Sequence, residues 1–240
     1  MFYQSEEYIS HSNTKKGVVS ALYQSVRKHT LRKKLGLVES RVGRKGKALD
    51  IGCGTGEFLN TLKTAGWETL GVEPGDQARE AGKKNYGLDV REESALSTLS
   101  DKSFDLITMW HVLEHVPGLN DRVVEIGRLL KDEGVLVVAV PNRNSHDAKY
   151  YGAYWAAYDV PRHLWHFRPE DIKALFLKHG FAVKEVLPMP FDSYYVSMLS
   201  EKYKTGSTNL VSAVWRGLVS NMKAGGDKWS SQIYIIRKAK

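Results

Sequence analysis

The chain has 240 residues, 42% of them apolar and 26% charged, which is enough for one well-packed α/β domain with a modest elaboration. A single cysteine, Cys53, excludes an internal disulfide framework, and no stretch approaches the roughly 18 consecutive apolar residues that a membrane-spanning helix needs. The net charge of +8 is uneven: residues 15–47 carry eleven Lys or Arg against one acid, Glu39, so this segment is strongly basic and the remainder is slightly acidic.

The first residues show neither a basic n-region nor an apolar h-region, so the expected location is cytoplasmic. Residues 1–46 read as a basic helical extension. Ser12, Asn13 and Thr14 offer N-caps, and Val18, Val19, Leu22, Tyr23 and Val26 follow at helical spacing, continued weakly by Leu31 and Leu35. Gly43 and Gly46 mark a linker. From residue 47 to 240 the rhythm is that of a catalytic α/β domain. Strands are expected at 48–51, 69–72, 88–90, 104–110 and 135–140, with helices at 56–65, 76–85 and 119–130 between them. Residues 142–168 break the alternation and are rich in Tyr, Trp, His and Arg, as an acceptor-side loop would be. A helix at 169–179 and a strand at 181–187 follow. Residues 192–231 then read as a helical insertion before a closing strand at 232–237, with Leu210, Val211, Val214, Trp215, Leu218 and Met222 forming one apolar stripe. That stripe is expected to face the core or a lid, with a lipid contact as the less favoured alternative.

The sharpest feature is A-L-D-I-G-C-G-T-G-E-F, residues 48–58, a buried strand running through a glycine-rich turn into a helix. Glycines let backbone approach a ligand closely, and the first helical N–H groups favour an anionic group. Dinucleotide sites use G-x-G-x-x-G, whereas Gly52, Gly54 and Gly56 give G-x-G-x-G, and Glu57 stands where the third fingerprint glycine would. Asp50, two residues before the first glycine, would repel a pyrophosphate and attract an amino group. The loop, with Cys53 inside it, therefore suits a ligand bearing an α-amino acid better than NAD(P). Glu73, at the end of the second strand and before Pro74, can accept hydrogen bonds from both hydroxyls of a ribose; the plainer reading is that it caps a turn.

L-D-I-G-C-G-T-G followed by G-V-E-P resembles motif I and its acidic partner in class I S-adenosylmethionine-dependent methyltransferases. The resemblance continues through S-F-D-L-I-T-M-W-H-V-L-E-H-V and L-L-K-D-E-G-V-L-V-V-A-V-P-N, and D-V-P-R-H-L-W-H-F resembles bacterial members of the ubiquinone- and polyketide-type superfamily. It implies a three-layer Rossmann-like fold, with a seven-stranded, mostly parallel sheet whose last strand is antiparallel. It also implies S-adenosyl-L-methionine as cofactor across the strand ends. Asp50, Gly52, Cys53, Gly54 and Gly56 then belong to the cofactor loop, Glu73 and Pro74 to the ribose side, Ser94 and Ala95 to the adenine side, and Trp110 to the end of the fourth strand.

Methyl transfer from a sulfonium is an in-line displacement governed by positioning, and a hydroxyl acceptor also needs a base. His111, His115, His163 and His166 are candidates, with Asp159 behind them. His115 is expected nearest the chemistry and Arg162-His163 on a wall of the acceptor pocket, while a structural role stays open for each. H-V-L-E-H matches an inverted zinc-protease motif, yet follows a strand directly instead of lying on a helix, so no metal is expected. A divalent ion on Glu114, His115 and another residue remains a minor alternative. Trp155, Tyr158 and Trp165 suit either acceptor stacking or lid packing. The expected acceptor is a small molecule, a saccharide or a lipid-linked compound. The basic helix touches an anionic membrane, touches nucleic acid or covers the domain; the absence of an RNA-binding motif weighs against nucleic acid. RNA or protein methylation and NAD(P)-dependent oxidoreduction are the rival functions.

Overall fold

The computed structural model describes residues 18–207 and 209–239, with side chains from residue 25 onward. The expected caps Ser12, Asn13 and Thr14 lie outside the described residues, as do the side chains of Val18, Val19, Leu22 and Tyr23. The elements are α1 (Val18–Val42), β1 (Lys47–Ile51), α2 (Glu57–Thr64), β2 (Glu68–Val72), α3 (Asp76–Tyr86), β3 (Val90–Arg91), β4 (Phe104–Trp110), α4 (Leu119–Leu129) and β5 (Leu130–Pro141). They continue with α5 (His146–Tyr151), α6 (Pro169–Lys178), β6 (Phe181–Pro188), α7 (Asp192–Thr205), α8 (Leu210–Lys223) and β7 (Ser231–Lys238). The strands form one seven-stranded sheet in the order β3-β2-β1-β4-β5-β7-β6. The pairs β1–β2, β1–β4 and β2–β3 are parallel, while β7 runs antiparallel to both β5 and β6. The last strand of the sheet is reversed, as the resemblance implied.

The chain divides into two compact units, residues 1–108 with 128–135 and residues 109–127 with 136–240. In the first, β1 is an apolar run interrupted by one acid, Asp50, and sits between β2 and β4. Strand order reverses across β1 and β4, the place where open α/β sheets bind ligands beyond the strand ends. Leu49, Leu59, Leu62 and Leu106 fill the core around it. Helix α1 packs against α2, buries Val38 fully and pairs Arg27 with Glu57. Some of the basic helix is therefore spent on covering its own unit.

In the second unit, residues 142–168 are more ordered than the sequence suggested. Ser145 caps α5 by accepting from the Ala148 amide at 3.1 Å, and two 3₁₀ turns follow at Gly152–Tyr154 and Ala156–Tyr158. Buried Asp147 accepts from Trp155 Nε1 at 2.9 Å, Ser220 Oγ at 2.8 Å and Ser230 Oγ at 2.7 Å, binding this segment to α8 and the approach to β7. Trp155 is thus a core residue with a satisfied indole, which settles it as packing. Glu201, also buried, accepts from Tyr151 Oη and Ser212 Oγ at 3.0 Å each.

Helices α7 and α8 pack tightly. A Cβ built on Gly217 would lie 2.7 Å from Tyr194 Cδ1 and 3.0 Å from its Cα, so only glycine admits this approach. The face of α8 turned inward is Ala213, Gly217 and Ser220. Its apolar stripe faces outward: Leu210, Val211, Val214, Trp215, Leu218 and Met222 are all exposed, contrary to the expected core or lid packing.

Candidate active site

The loop between β1 and α2 is built on left-handed glycines. Gly52, Gly54 and Gly56 have φ of 70°, 55° and 83°, a region that costs L side chains strain, so the G-x-G-x-G pattern is a backbone requirement. The Gly52 and Cys53 amides donate to Val72 O at 2.7 and 3.1 Å, tying the loop to the end of β2. Glu73 completes the tie. Its Oε2 accepts from the Gly54 amide and its Oε1 from the Gly75 amide, both at 2.9 Å, while Arg79 Nη1 holds the Glu73 and Pro74 carbonyls at 2.8 Å each. Glu73 is therefore aimed at the glycine loop, and each oxygen keeps a further acceptor position. Burial pushes the Cys53 thiol well up, which makes it an apolar wall rather than a nucleophile.

Asp50 lies beneath the loop, almost fully buried, and accepts from Thr108 Oγ1 at 2.5 Å. Burial raises its pKa from 3.8 to about 7, against the Thr108 hydrogen bond and the Lys34 ammonium, with Glu73 adding to the rise. A buried carboxylate poised between charge states is a site that a cationic ligand group would stabilise, and this fits the α-amino group inferred from the sequence. Because the folded pKa lies above the unfolded value, Asp50 binds more protons in the native state, and its contribution becomes destabilising as pH rises from about 4 to 7. Asp50→Asn is expected to stabilise the ligand-free protein at pH 8 by up to about 4 kcal/mol, the gain shrinking toward pH 4. Thermal melts across that range check it, and parallel pH profiles for variant and parent would refute it.

Ser94 and Ala95 lie in a 3₁₀ helix, Glu93–Thr98, after β3; Ser94 is exposed and its hydroxyl donates to Glu92, and Ala95 is half-buried. Arg128 fastens this helix by donating to Leu96 O at 2.8 Å and Leu99 O at 2.6 Å. These residues and the loop share the first unit. Trp110, half-buried at the end of β4, belongs to the second.

The second unit gathers the expected histidines. His111 follows β4 with φ of 56°, a left-handed conformation that ends the strand and is uncommon outside glycine. Its Nε2 lies 2.9 Å from Asp192 Oδ2 and its Nδ1 3.4 Å from Glu114 Oε1. Burial works against its charge, but Asp192 and then Glu114 outweigh it and push the pKa up to about 10. His111 is therefore an imidazolium at neutral pH. His115 Nδ1 lies 3.0 Å from Arg162 O, and His163 Nδ1 lies 2.8 Å from Ala157 O. A carbonyl only accepts, so each neutral ring carries its proton on Nδ1 and its lone pair on Nε2. The two rings meet edge-on, centroids 4.6 Å apart. Burial lowers the His163 pKa, with Glu114 opposing the fall and His115 adding to it.

Glu114 is 1% exposed, and neither of its oxygens accepts a well-aligned hydrogen bond. The His111 imidazolium at 3.4 Å is its nearest counter-charge, shared with Asp192. Ligand atoms of Glu114, His115 and His163 all lie within 4.8 Å of one another, the donor set that could hold a metal ion. Arg162 pairs with Asp159 at 2.6 Å, and His166 Nε2 contacts Tyr158 O at 2.9 Å. Trp165 is exposed, with its indole N–H on Val116 O at 2.8 Å.

Sequence reasoning missed Thr108, Lys34 and Asp192. Thr108 faces Asp50 through the β1–β4 register, and Asp192 reaches His111 from α7, so neither carries a local signal.

A methyltransferase-domain family model matches residues 23–186. Among curated relatives, a ubiquinone biosynthesis O-methyltransferase of Nitrosospira multiformis is 26% identical over 173 residues, covering 66% of this chain and 72% of its own. That of Marinobacter nauticus is 26% identical over 189 residues, covering 72% and 77%. In three dimensions, a SAM-dependent methyltransferase from Archaeoglobus fulgidus superposes with a TM-score of 0.64 at 20% identity, over 98% of this chain and all of that one. A Haemonchus contortus phosphoethanolamine N-methyltransferase 2 in complex with S-adenosyl-L-methionine gives 0.59 at 16% identity, over 87% and 53%. The chain belongs to the methyltransferase-domain family and is an S-adenosylmethionine-dependent methyltransferase.

Proposed function

We propose that this enzyme methylates an oxygen of a small-molecule, saccharide or lipid-linked acceptor. The observation that carries the reading is the pair His115 and His163, each with Nδ1 on a backbone carbonyl and the two rings meeting edge-on. The relatives named as O-methyltransferases support it. The cofactor supplies an electrophilic methyl on a sulfonium. In this reading Gly52, Gly54 and Gly56 leave room for its amino-acid end, Asp50 balances the amino group, Glu73 accepts from ribose hydroxyls, and Ser94 and Ala95 border the adenine. His115 takes the acceptor's proton. His163 orients the acceptor beside it, and His111, already protonated, fixes Glu114 and Asp192 in place. Arg27 and Lys34 serve the cofactor loop through Glu57 and Asp50, which favours the covering role of α1 over nucleic-acid contact. Calorimetry with S-adenosylhomocysteine, followed by a labelled-methyl screen of hydroxylated small molecules, saccharides and glycolipids, tests the proposal. Transfer to amines alone would overturn it.

The buried carboxylate of Glu114, beside His115 and His163, favours a second reading of the same cluster. Two imidazole nitrogens and a carboxylate are a donor set for a divalent ion, and each imidazole has the backbone hydrogen bond that commonly orients a metal-bound histidine. Titration with Mn²⁺ and Zn²⁺ is expected to give one site per chain, abolished in His163→Ala. Absence of binding to the parent protein would leave the cluster to acid–base work alone.

A further inference from the structure

Helix α8 is amphipathic in the opposite sense to a surface helix. Its small residues Ala213, Gly217 and Ser220 are buried, while its large apolar ones face solvent. Val211 is 82% exposed, Met222 76% and Trp215 58%, and Leu210, Val214 and Leu218 continue the same face. Six large apolar residues on one exposed stripe are more than a solvated helix carries by chance, and such a face marks an interaction surface. Basic groups flank it. Lys202 and Lys204 end α7 just before the stripe begins, and Lys223 and Lys228 stand exposed at its other end. Lys204 Nζ and the Arg216 guanidinium both lie over the Tyr150 ring, at 4.8 and 4.0 Å. The acids nearby offset little of this charge: Glu201 is buried on Tyr151 and Ser212, Asp192 is held by His111, and Asp227 alone is exposed.

We infer that the outer face of α8 is a docking surface for an anionic lipid bilayer. An exposed apolar stripe with Trp on it and lysines at both ends fits the acyl–headgroup boundary, with the apolar side chains immersed and the ammonium groups at the phosphates. No helix among the described residues is long and apolar enough to cross a membrane, so the contact is peripheral. A second copy of this chain fits less well, because a two-fold interface on this stripe sets one basic rim against another. The inference is independent of which acceptor is methylated.

Vesicle co-sedimentation tests it, with phosphatidylglycerol/phosphatidylcholine vesicles against phosphatidylcholine alone. The parent protein is expected to pellet with the anionic vesicles, and Val211→Ser/Val214→Ser/Leu218→Ser to lose at least about tenfold in partitioning. Lys202→Glu/Lys204→Glu should lose binding and salt sensitivity together. All these side chains are exposed, so unchanged thermal melts certify the fold. Trp215→Phe keeps the apolar face: it should still pellet, but lack the blue shift in tryptophan emission that the parent shows on anionic vesicles. Failure of the parent to bind either vesicle overturns the inference, as does equal binding by the triple serine variant. Light scattering that shows a dimer dissociated by the same triple variant would assign the face to a second copy instead, and would overturn it too.

Discussion

Glu73→Ala is expected to weaken S-adenosylhomocysteine binding by about 10²–10⁴-fold, from two hydrogen bonds to a charged group at roughly 1.5–3 kcal/mol each and tenfold per 1.4 kcal/mol. The loss has two sources. The carboxylate holds the Gly54 and Gly75 amides, so its removal frees a loop whose left-handed glycines give it little stiffness of its own. In the proposed role it also accepts from the ribose. Glu73→Gln separates them: one amide oxygen still accepts from a backbone N–H, so the loop is partly kept while the charge is lost. Calorimetry on the three proteins reads the difference. Affinity unchanged in Glu73→Ala would remove this residue from the cofactor site.

His115→Ala is expected to lower kcat about 10²–10⁴-fold with a hydroxyl acceptor, the usual worth of a general base. His163→Ala is expected to raise KM more than it lowers kcat, because its ring borders His115 edge-on and its proposed role is orientation. His111 makes a useful contrast. Asp192 and Glu114 hold it as an imidazolium with a pKa of about 10, so it has no basic lone pair at neutral pH, and His111→Gln should change stability and acceptor fit more than kcat. Acceptor turnover intact in His115→Ala would end its assignment as the base.

The glycine loop was legible in the sequence because its signal is local. Asp50, three glycines at a spacing of two, and an acid closing the next strand are all read within 24 residues, the glycines as a backbone requirement and the acids as side-chain acceptors. Strand and helix positions were legible for the same reason, through the change of period from 2 to 3.6. Strand β4 was placed at its observed bounds, and β7 within a residue at each end. Three things were decided only by tertiary structure. The partner of Asp50 is Thr108, fixed by strand register between segments 58 residues apart. The charge state of His111 depends on Asp192, which α7 brings back to it from beyond β6. The orientation of α8 was the third. Its periodicity correctly grouped Leu210, Val214 and Leu218 on one face, but periodicity says which residues share a face and not which face meets the protein. Close approach decided that: Gly217 lets α8 lie against Tyr194 where any Cβ would collide, so the small face went inward and the large apolar face was left to solvent.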